Sequence, residues 1–507
     1  MTNIVIEKLN DVYCKVECDK SISREISENY SFRIENYQFN PLVKAGRWDG
    51  VIRLYNHTKK TIYTGLIESL TGFAKEARYS IKVDDYYEPH PITDEEFMDF
   101  VKTLNLPFEP RDYQIKYALH SIRTRRALNI SPTGSGKSLI AYLVIRYVLT
   151  QIKSKVIVLV PTTALVYQLI SDFKDYGWDS AAECHGLCEG AEKTTNKRVI
   201  VSTWQSLQYM AVNKAVGKKK VNQYNPEWFE KFGCLIGDEC HTFNATALKN
   251  ISECLINACW RIGLTGTLDG STTNELVLTG IFGPKVQFKW TNELIADGTL
   301  SPFKINVLKI NYPDEFKRLW HNRKKKVTYQ EEIDFIVQYE KRNNMLAKLA
   351  VSRKGNSVVI FRYVEKQGRP LFEKIKKICE EKYPDRKVFF YAGEVPGEER
   401  NALRAIIEKE KDAIIVGSVQ TISTGINIVN LHNIIFASPS KARIKILQSI
   451  GRALRKSEVD ATLYDITDDL CWKSKKNYTA LHLIERLKMY VSEKFDYKLK
   501  EIELTNV

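Results

Sequence analysis

The sequence has 507 residues, a hydrophobic content of 44% and a net charge of +15 at neutral pH. This length excludes a single hydrophobic core and indicates about three or four domains, and no apolar run approaches the roughly 20 residues that a membrane span needs. The positive charge favours a polyanionic partner, although a basic composition is also common among proteins that bind no nucleic acid.

The first 88 residues or so predict a compact α+β unit. The apolar alternation and the turn residues predict strands at Ile4–Ile6, Val12–Val16 and Tyr79–Val83, helices at Ser23–Glu28 and Leu66–Ala77, and a hairpin of Gly50–Tyr55 with Thr61–Thr64. The stretch from Met1 to Asp19 carries acidic residues where a signal peptide would have an apolar core. We therefore expect a cytosolic protein.

Within this unit, the segment from Phe39 to Gly50 combines aromatic, basic and turn-forming residues, as a loop that contacts nucleic acid would. Trp48 has two interpretations, because it would serve equally well to stack on a base or to anchor a small core. Four basic side chains are expected on the surface, where they would contact phosphates: Lys44, Arg47, Lys59 and Lys60.

The ten cysteines are scattered without the spacing of a secreted disulfide framework, which indicates a reducing compartment. Cys14 with Cys18, and Cys184-His185 with Cys188, faintly resemble metal ligands. Their spacing is not that of a zinc ribbon or finger. Thiols buried in strands are therefore the favoured explanation, and zinc is the alternative.

Pro89 and Pro91, followed by acidic residues at 94–96, mark a linker and a short helix. From Phe108 onward strands alternate with helices, which predicts a parallel sheet covered on both faces. A second boundary is expected around residues 294–300. The predicted domains are thus 1–106, 107–299 and 300–507.

The stretch Ser131-Pro-Thr-Gly-Ser-Gly-Lys-Ser138 lies between an apolar run and a helical pattern, an arrangement typical of a phosphate-binding loop. Backbone N–H groups around Gly134 and Gly136 would wrap a phosphate, Lys137 would reach its outer oxygens, and the Ser138 hydroxyl suits Mg²⁺. The first glycine of the strict pattern is replaced by Ser131. The predicted nucleotide contacts of the loop are Thr133, Gly134, Ser135, Gly136, Lys137 and Ser138.

Just upstream lies Arg111-Asp-Tyr-Gln114. The side-chain amide of Gln114 can both donate to and accept from an adenine edge, so it would favour ATP, with Arg111 beside it. The alternative is a solvated glutamine at the start of a helix.

Two further apolar segments, which predict buried strands, are followed by polar residues. Val156–Val160 and Val199–Ser202 present their carboxyl ends to a ligand, so nearby polar side chains would touch a nucleic-acid backbone: Thr162, Gln168, Thr203 and Gln205.

The apolar strand Cys234–Gly237 ends in Asp238 and Glu239. Two adjacent carboxylates are poorly explained as a solvated turn; we expect Asp238 to hold Mg²⁺ and Glu239 to activate the attacking water.

Downstream, further strands are predicted at Ser357–Phe361, Lys387–Phe390, Ala413–Val416 and Asn433–Phe436, with helices within 314–349. Gln448, Arg452 and Arg455 are spaced so that a helix would project all three from one face. A basic surface stripe would have the same spacing. Thr265 and Thr267 carry hydroxyls placed to relay the nucleotide state, although a helix cap would look similar.

In order and interval, Gln114, the 131–138 loop, the Asp-Glu-Cys-His box at 238–241 and the Thr-Gly-Thr at 265–267 resemble superfamily-two helicases. Residues 39–41 and 46–50, along with 238–241 and 448–455, narrow the resemblance to the phage UvsW group of branched-DNA helicases. The resemblance implies an α/β fold: two tandem RecA-like parallel-sheet domains preceded by a small α+β N-terminal domain. It also implies that Gly425 and Gln448 contact ATP, and that Arg452 and Arg455 assist its hydrolysis.

The resemblance further implies ATP and Mg²⁺ as cofactors and branched DNA, including forks, Holliday-type junctions and R-loops with their RNA, as partner. We expect a monomer without membrane contact in the cytoplasm of a phage-infected bacterium. One alternative is the motor subunit of a restriction or repair nuclease, for which Asp314 and Glu315 with Lys317 are the local indication. The other is an annealing protein that uses nucleotide as a switch.

Overall fold

The structure is a computed structural model that describes most of the chain. The described residues are 3–34, 37–188, 190–192, 194–208, 210, 225–242, 245–266, 268, 272–299, 303–322, 327–392, 406, 409–419, 421–422, 431–439, 461–492 and 494–504. The chain groups into two compact units. The first contains residues 1–131 and 136–288, and the second contains residues 289–507 with the short segment 132–135.

The N-terminal part contains a mixed five-stranded sheet with the strand order β5-β6-β2-β1-β7. Its elements are β1 Ile4–Lys8, β2 Tyr13–Cys18, α1 Lys20–Asn29, β3 Ser31–Arg33, α2 Pro41–Lys44, β4 Val51–Arg53, β5 Tyr55–Asn56, β6 Thr61–Tyr63, α3 Ile67–Glu76, β7 Ile81–Val83 and α4 Asp94–Thr103. The predicted strands outside the 50–64 hairpin and both predicted helices of this unit are confirmed. β1 runs antiparallel to β2 and parallel to β7, and alternate residues of β1 and β2 are buried.

The predicted hairpin of residues 50–55 with 61–64 is wrong in its first half. β4 pairs with β3 in a separate antiparallel ladder, in which Ser31 faces Arg53, and β5 alone pairs with β6. The partner changes at Leu54, which buries its side chain and donates its backbone N–H to the Tyr30 carbonyl at 2.9 Å. Burial of this residue interrupts the strand, and the sequence pattern did not reveal it.

The first parallel sheet has the order β10-β11-β9-β12-β13-β8-β14, and every neighbouring pair in it is parallel. Its strands are β8 Arg126–Ile130, β9 Lys155–Val160, β10 Cys184–Leu187, β11 Val199–Thr203, β12 Phe232–Asp238, β13 Trp260–Thr265 and β14 Lys285–Val286. Its helices are α5 Asp112–Thr124, α6 Lys137–Gln151, α7 Thr163–Asp175, α8 Ser180–Glu183, α9 Trp204–Gln208, α10 Pro226–Phe229, α11 Ala245–Cys254 and α12 Thr272–Phe282. The predicted parallel sheet is confirmed.

Two glycines in the middle of this sheet create space for an aromatic ring. Gly237 on β12 is the register partner of Gly263 on β13. A Cβ at either position would lie 2.7 to 2.9 Å from the ring of Phe282, which is fully buried at the end of α12. The paired glycines therefore let α12 lie close to the sheet, one residue before the strand reaches Asp238.

The second parallel sheet has the order β17-β18-β16-β19-β20-β15-β21, again with parallel neighbours. Its strands are β15 Phe303–Asn311, β16 Asn356–Phe361, β17 Val388–Tyr391, β18 Ile414–Ser418, β19 Leu431–Phe436, β20 Ala461–Asp469 and β21 Tyr497–Glu503. The helices are α13 Thr291–Ala296, α14 Asp314–His321, α15 Tyr329–Gln338, α16 Glu340–Ser352, α17 Arg369–Lys382 and α18 Tyr478–Ser492. All four predicted strands are confirmed, and β15, β20 and β21 were not predicted.

A buried ion pair fixes α16 to the carboxyl end of β20. Both nitrogens of the Arg342 fork bond to Asp468, at 2.7 and 3.0 Å, and neither side chain is exposed to solvent. The Tyr312 hydroxyl donates to the same carboxylate at 3.0 Å. Because an unpaired buried charge is costly, these groups specify how the last strands and helices of the sheet assemble.

The N-terminal part and the first parallel sheet share one hydrophobic core, which includes Ile6 and Tyr63 from the former and Leu128 and Phe282 from the latter. Buried polar groups reinforce this contact. The Arg126 guanidinium on β8 donates to the Asp11 carbonyl at 2.6 Å, and the Tyr63 hydroxyl donates to Glu253 of α11 at 2.7 Å. The small α+β part is therefore built into the first unit.

The N-terminal part and α12 approach each other closely at Gly65. A Cβ there would lie 2.3 Å from the Thr279 carbonyl oxygen and 2.6 Å from that of Gly280 on α12. Both neighbours are backbone atoms, which cannot move aside by changing a rotamer. Gly65 is therefore required for the packing of the N-terminal part against α12.

We predict that Gly65→Ala lowers the melting temperature of the intact protein strongly, because over-packing costs about 1–3 kcal/mol or more. The matched control is Gly72→Ala on α3, where an added Cβ meets nothing within 4 Å. That change should stabilise by about 0.5–1 kcal/mol, since alanine is the better helix former. Calorimetry on both variants checks the pair. Equal melting temperatures would contradict the close packing at Gly65.

Candidate functional site

The 131–138 loop has the backbone of a phosphate-binding loop. It follows β8, and α6 begins at Lys137. Gly134 and Gly136 have φ angles of +85° and +82°, which other residues rarely adopt. Ser131 has no positive φ, and its N–H donates to the Thr265 carbonyl at 2.8 Å. A serine in place of the first glycine is therefore free of backbone strain.

Lys137, at the start of α6, lies close to both the phosphate loop and the carboxylate at the end of β12. Its Nζ lies 3.4 Å from the Ser131 carbonyl oxygen and 3.5 Å from Oε1 of Glu239. Both charged side chains are about nine-tenths buried. The ammonium group thus lies where it can compensate negative charge at the end of the sheet.

Glu239 occupies a strained position immediately after β12. Its φ is +47°, in the left-handed region that costs a non-glycine residue about 1 kcal/mol or more. Its N–H donates to Oδ1 of Asp238 at 3.0 Å, and only 7% of the residue is exposed. Strain of this kind persists only where the surrounding structure determines it, and it is typical of functional sites.

His241 connects this carboxylate to the next strand. Its Nδ1 lies 3.5 Å from Oε2 of Glu239 and 2.5 Å from the hydroxyl of Thr265, which is fully buried at the end of β13. Together with Lys137 and Ser131, these residues form a closed series of contacts, which we call the motif ring. The motif ring consists of Ser131, Lys137, Glu239, His241 and Thr265. It joins the loop to two neighbouring strand ends.

The predicted Mg²⁺ ligands fit the chemistry of that ion. The Ser138 hydroxyl and the Asp238 carboxylate both supply the hard oxygen atoms that Mg²⁺ prefers. Ser138 Oγ also lies 2.8 Å from the Tyr176 hydroxyl at the end of α7, which holds the serine in one orientation. The sequence analysis missed Tyr176, because nothing in the local pattern places it near the loop.

Gln114 contacts the phosphate loop directly. It is 4% exposed, and its Oε1 accepts from the Arg111 backbone N–H at 2.9 Å. Its Nε2 lies only 2.2 Å from where a Cβ on Gly136 would be. This burial does not fit the alternative of a solvated glutamine, and contact with adenine stays a prediction. The Arg111 guanidinium donates to the Tyr113 hydroxyl at 3.1 Å.

Two of the four polar residues predicted to contact nucleic acid in this domain lie at the ends of neighbouring strands, and Gln168 and Gln205 lie on the helices that follow, α7 and α9. β9 and β11 are adjacent and parallel, so Thr162 and Thr203 lie at the same edge of the sheet. Each hydroxyl accepts from a backbone N–H at the start of the following helix, α7 or α9. Gln205 is exposed, with Nε2 3.4 Å from the Pro161 carbonyl, while exposed Gln168 donates to Asp172 on α7.

The basic residues of the N-terminal part differ in their surroundings. Lys44, Arg47 and Lys59 are exposed, whereas Lys60 is half-buried and pairs with Glu17 at 2.8 Å. That pairing weakens the case for Lys60 as a phosphate contact. Trp48 is half-buried, and its Nε1 donates to the Val51 carbonyl at 3.1 Å. This hydrogen bond holds the loop locally, and the two interpretations of Trp48, base stacking and anchoring of a core, both stay predictions.

Five of the predicted residues lie outside the part of the chain that the structure describes. Their roles stay predictions from sequence: Thr267, Gly425, Gln448, Arg452 and Arg455.

Neither metal-based alternative gains support in the described ranges. Asp314 is largely exposed, 3.9 Å from Lys317 Nζ, and no described group of three or more His, Cys, Asp or Glu side chains could hold a metal ion. Burial raises the pKa of Cys14 and of Cys184 to about 12, in keeping with thiols that lie in buried strands. Among the described helices, none is long and apolar enough to cross a membrane.

Three family models match this chain. Residues 4–84 match "DNA helicase UvsW, N-terminal", residues 107–270 match "Type III restriction enzyme, res subunit", and residues 340–457 match "Helicase conserved C-terminal domain". Each model thus falls in a different part of the predicted architecture.

Curated and solved relatives extend the match over the whole length. The chain is 33% identical to the ATP-dependent DNA helicase uvsW of Enterobacteria phage T4, over 97% of this chain and 98% of that protein. The crystal structure of T4 UvsW aligns with a TM-score of 0.51 at 32% identity, covering 99% of this chain and 100% of the other. A DNA 3'-5' translocase, XPB2 of Sulfurisphaera tokodaii, is 23% identical over 71% of this chain and 81% of that protein.

The site predicts different phenotypes for its two central charges. Glu239→Gln should keep nucleotide binding but lower ATP turnover by about 10² to 10⁴, because a general base is lost while Asp238 remains. Filter binding of ATP together with steady-state hydrolysis measures both effects. A Glu239→Gln protein that folds but binds no ATP would show that the carboxylate is structural.

Lys137→Ala should instead abolish turnover and weaken nucleotide binding, because we expect the ammonium group to contact phosphates. DNA binding should persist, since the predicted nucleic-acid contacts lie at other strand ends. DNA-stimulated hydrolysis within a few-fold of wild type would refute the assignment of the phosphate loop. Unchanged circular dichroism serves as the control for folding.

Proposed function

The chain belongs to the UvsW group of superfamily-two DNA helicases, and from this premise we propose that it uses ATP hydrolysis to remodel branched DNA. It is an ATP-hydrolysing DNA helicase with two tandem RecA-like domains. The proposed substrates are forks, Holliday-type junctions and R-loops. In the last of these the partner includes RNA.

The observation that carries this proposal is the motif ring. A buried lysine, a strained buried glutamate and a histidine–threonine contact unite the phosphate loop with two strand ends. Lys137 is suited to neutralise the outer phosphates, and Glu239 to accept a proton from the attacking water. Ser138 and Asp238 would hold Mg²⁺, which would neutralise charge that develops on the transferred phosphoryl group.

The built-in N-terminal part supports branched DNA as the substrate. It shares a core with the first parallel sheet and presents exposed basic residues at 44, 47 and 59. Phosphate contacts give affinity for duplex arms without regard to sequence. If the N-terminal part binds the duplex while the RecA-like domains move along one strand, that movement would separate the strands at a branch or move the branch point along the DNA.

The proposal also includes the setting in which the protein acts. We propose a monomer in the cytoplasm of an infected bacterium, in keeping with the phage relative. The nuclease and switch alternatives are tested by Mg²⁺-dependent cleavage of plasmid DNA and by continuous ATP turnover on DNA, respectively.

We expect ATP turnover to be stimulated by single strands and more strongly by forks, four-way junctions and R-loops. Reversing the charges of Lys44, Arg47 and Lys59 should remove the preference for branches but keep stimulation by single strands. Point variants are preferable to deletion of residues 1–88, because deletion would expose the shared core. If the reversed variant prefers branches as strongly as wild type, the N-terminal part does not select the substrate.

Arg455 is proposed to stabilise charge on the γ-phosphoryl group during hydrolysis. Arg455→Ala should therefore lower kcat by about 10³ to 10⁵, with little effect on ATP affinity. Steady-state kinetics at saturating DNA separates the two quantities. A change confined to KM would indicate that the arginine contacts ATP before the reaction begins.

A further inference from the structure

A loop of the N-terminal part lies between β3 and β4 and is held in place by hydrogen bonds. These strands form an antiparallel stem in which Ser31 faces Arg53 and Arg33 faces Val51. The stem closes the intervening chain, of which residues 37–50 are described and contain the short helix α2. We call residues 37–48 the tip. Its place at the end of a two-stranded stem makes it an extension rather than part of the main sheet.

The tip is held in one conformation by its own hydrogen bonds. The Asn40 side chain accepts from the Leu42 N–H at 2.9 Å, which caps α2, and the Arg47 N–H donates to the Leu42 carbonyl at 2.9 Å. Trp48 anchors the base of the tip through its bond to the Val51 carbonyl. The tip is thus ordered before it meets a partner, which lowers the entropic cost of binding.

Two apolar side chains project from the tip into solvent. Phe39 is 66% exposed and Leu42 is 51% exposed. A single exposed apolar residue is common and needs no explanation. Here an exposed aromatic ring and an exposed aliphatic side chain lie within four residues of each other, and an exposed aromatic ring suits the flat face of a base.

The positive charges beside these side chains favour a nucleic acid as the partner. Lys44 Nζ lies 5.8 Å from the centre of the Phe39 ring, and the side chain of Arg47 is exposed as well. Residues 37–48 contain no Asp or Glu. The nearest described carboxylate in sequence, Asp49, pairs with Arg53. Exposed apolar side chains with cations beside them complement a base stack bordered by phosphates. An acidic protein partner would be recognised by the cations but would not require the exposed ring.

We propose that the tip is a wedge in which Phe39 stacks on the last base pair at a DNA branch point, while Lys44 and Arg47 contact the flanking phosphates. Leu42 covers the edge of the same pair. This inference rests on the proposed function, since a wedge is useful only to a motor acting on branched DNA. It assigns the stacking role to Phe39 instead of Trp48, which donates to the Val51 carbonyl at the base of the tip.

The test compares three variants of the full-length protein: Phe39→Ala, Phe39→Trp and, as a control, Leu9→Ala. Leu9 is 54% exposed in the same domain but lies outside the tip. The probe is a fork that carries 2-aminopurine at the branch point, with the matching single strand as reference. Binding is measured without ATP, and the rate of fork remodelling with ATP.

We expect Phe39→Ala to weaken fork binding by roughly 5- to 100-fold, the range for loss of one base–aromatic stack, with single-strand binding unchanged. The change in 2-aminopurine fluorescence on binding should disappear. Phe39→Trp should restore both signals, and Leu9→Ala should match wild type. Fork remodelling by Phe39→Ala should slow, while ATP turnover on single strands stays at the wild-type level.

Wild-type fork binding and fluorescence in Phe39→Ala would overturn the wedge. Equal loss on forks and single strands would overturn it as well, because the residue would then be a general contact. Loss of fork binding without rescue by Phe39→Trp would indicate a protein-packing role and count against stacking. If wild type remodels no fork in ATP, the proposed function fails, but the binding measurement still decides the wedge.

Discussion

The ion pair between Lys137 and Glu239 is the contact on which the catalytic half of the structure depends. It brings the lysine of the phosphate loop to the end of the central strand β12. The backbone of Glu239 remains in a left-handed conformation, and His241 with Thr265 closes the series of contacts back to Ser131. Distant stretches of sequence are thereby held as one group. A change in the phosphate loop has a direct physical path to the neighbouring strand ends.

A second constraint is the close packing around α12. Phe282 fills the space above Gly237 and Gly263, and Gly65 meets the backbone of the same helix. One side of α12 thus supports the strand that carries Asp238, and another receives the N-terminal part. The N-terminal part is therefore joined to the first parallel sheet through close backbone packing and a shared hydrophobic core.

The fold could be predicted largely from the sequence, because wholly apolar runs punctuated by glycine and acidic residues are typical of buried parallel strands. The edge strand β21 was not predicted, and its residues are mostly exposed. The hairpin at 50–55 was wrong because burial of Leu54 is a tertiary property. Local motifs similarly located Lys137 and Glu239, but could not show that Tyr176 meets Ser138 or that Trp48 donates to the Val51 carbonyl.

The central claim is that the motif ring acts as one connected unit, and a double-mutant cycle tests it most directly. The binding free energy of a non-hydrolysable ATP analogue would be measured for wild type, Thr265→Val, Glu239→Gln and the double variant. The account predicts a coupling energy of about 0.5–3 kcal/mol, as for residues in one contact network. Effects that add to within about 0.3–0.5 kcal/mol would contradict it, because the two positions would then act independently.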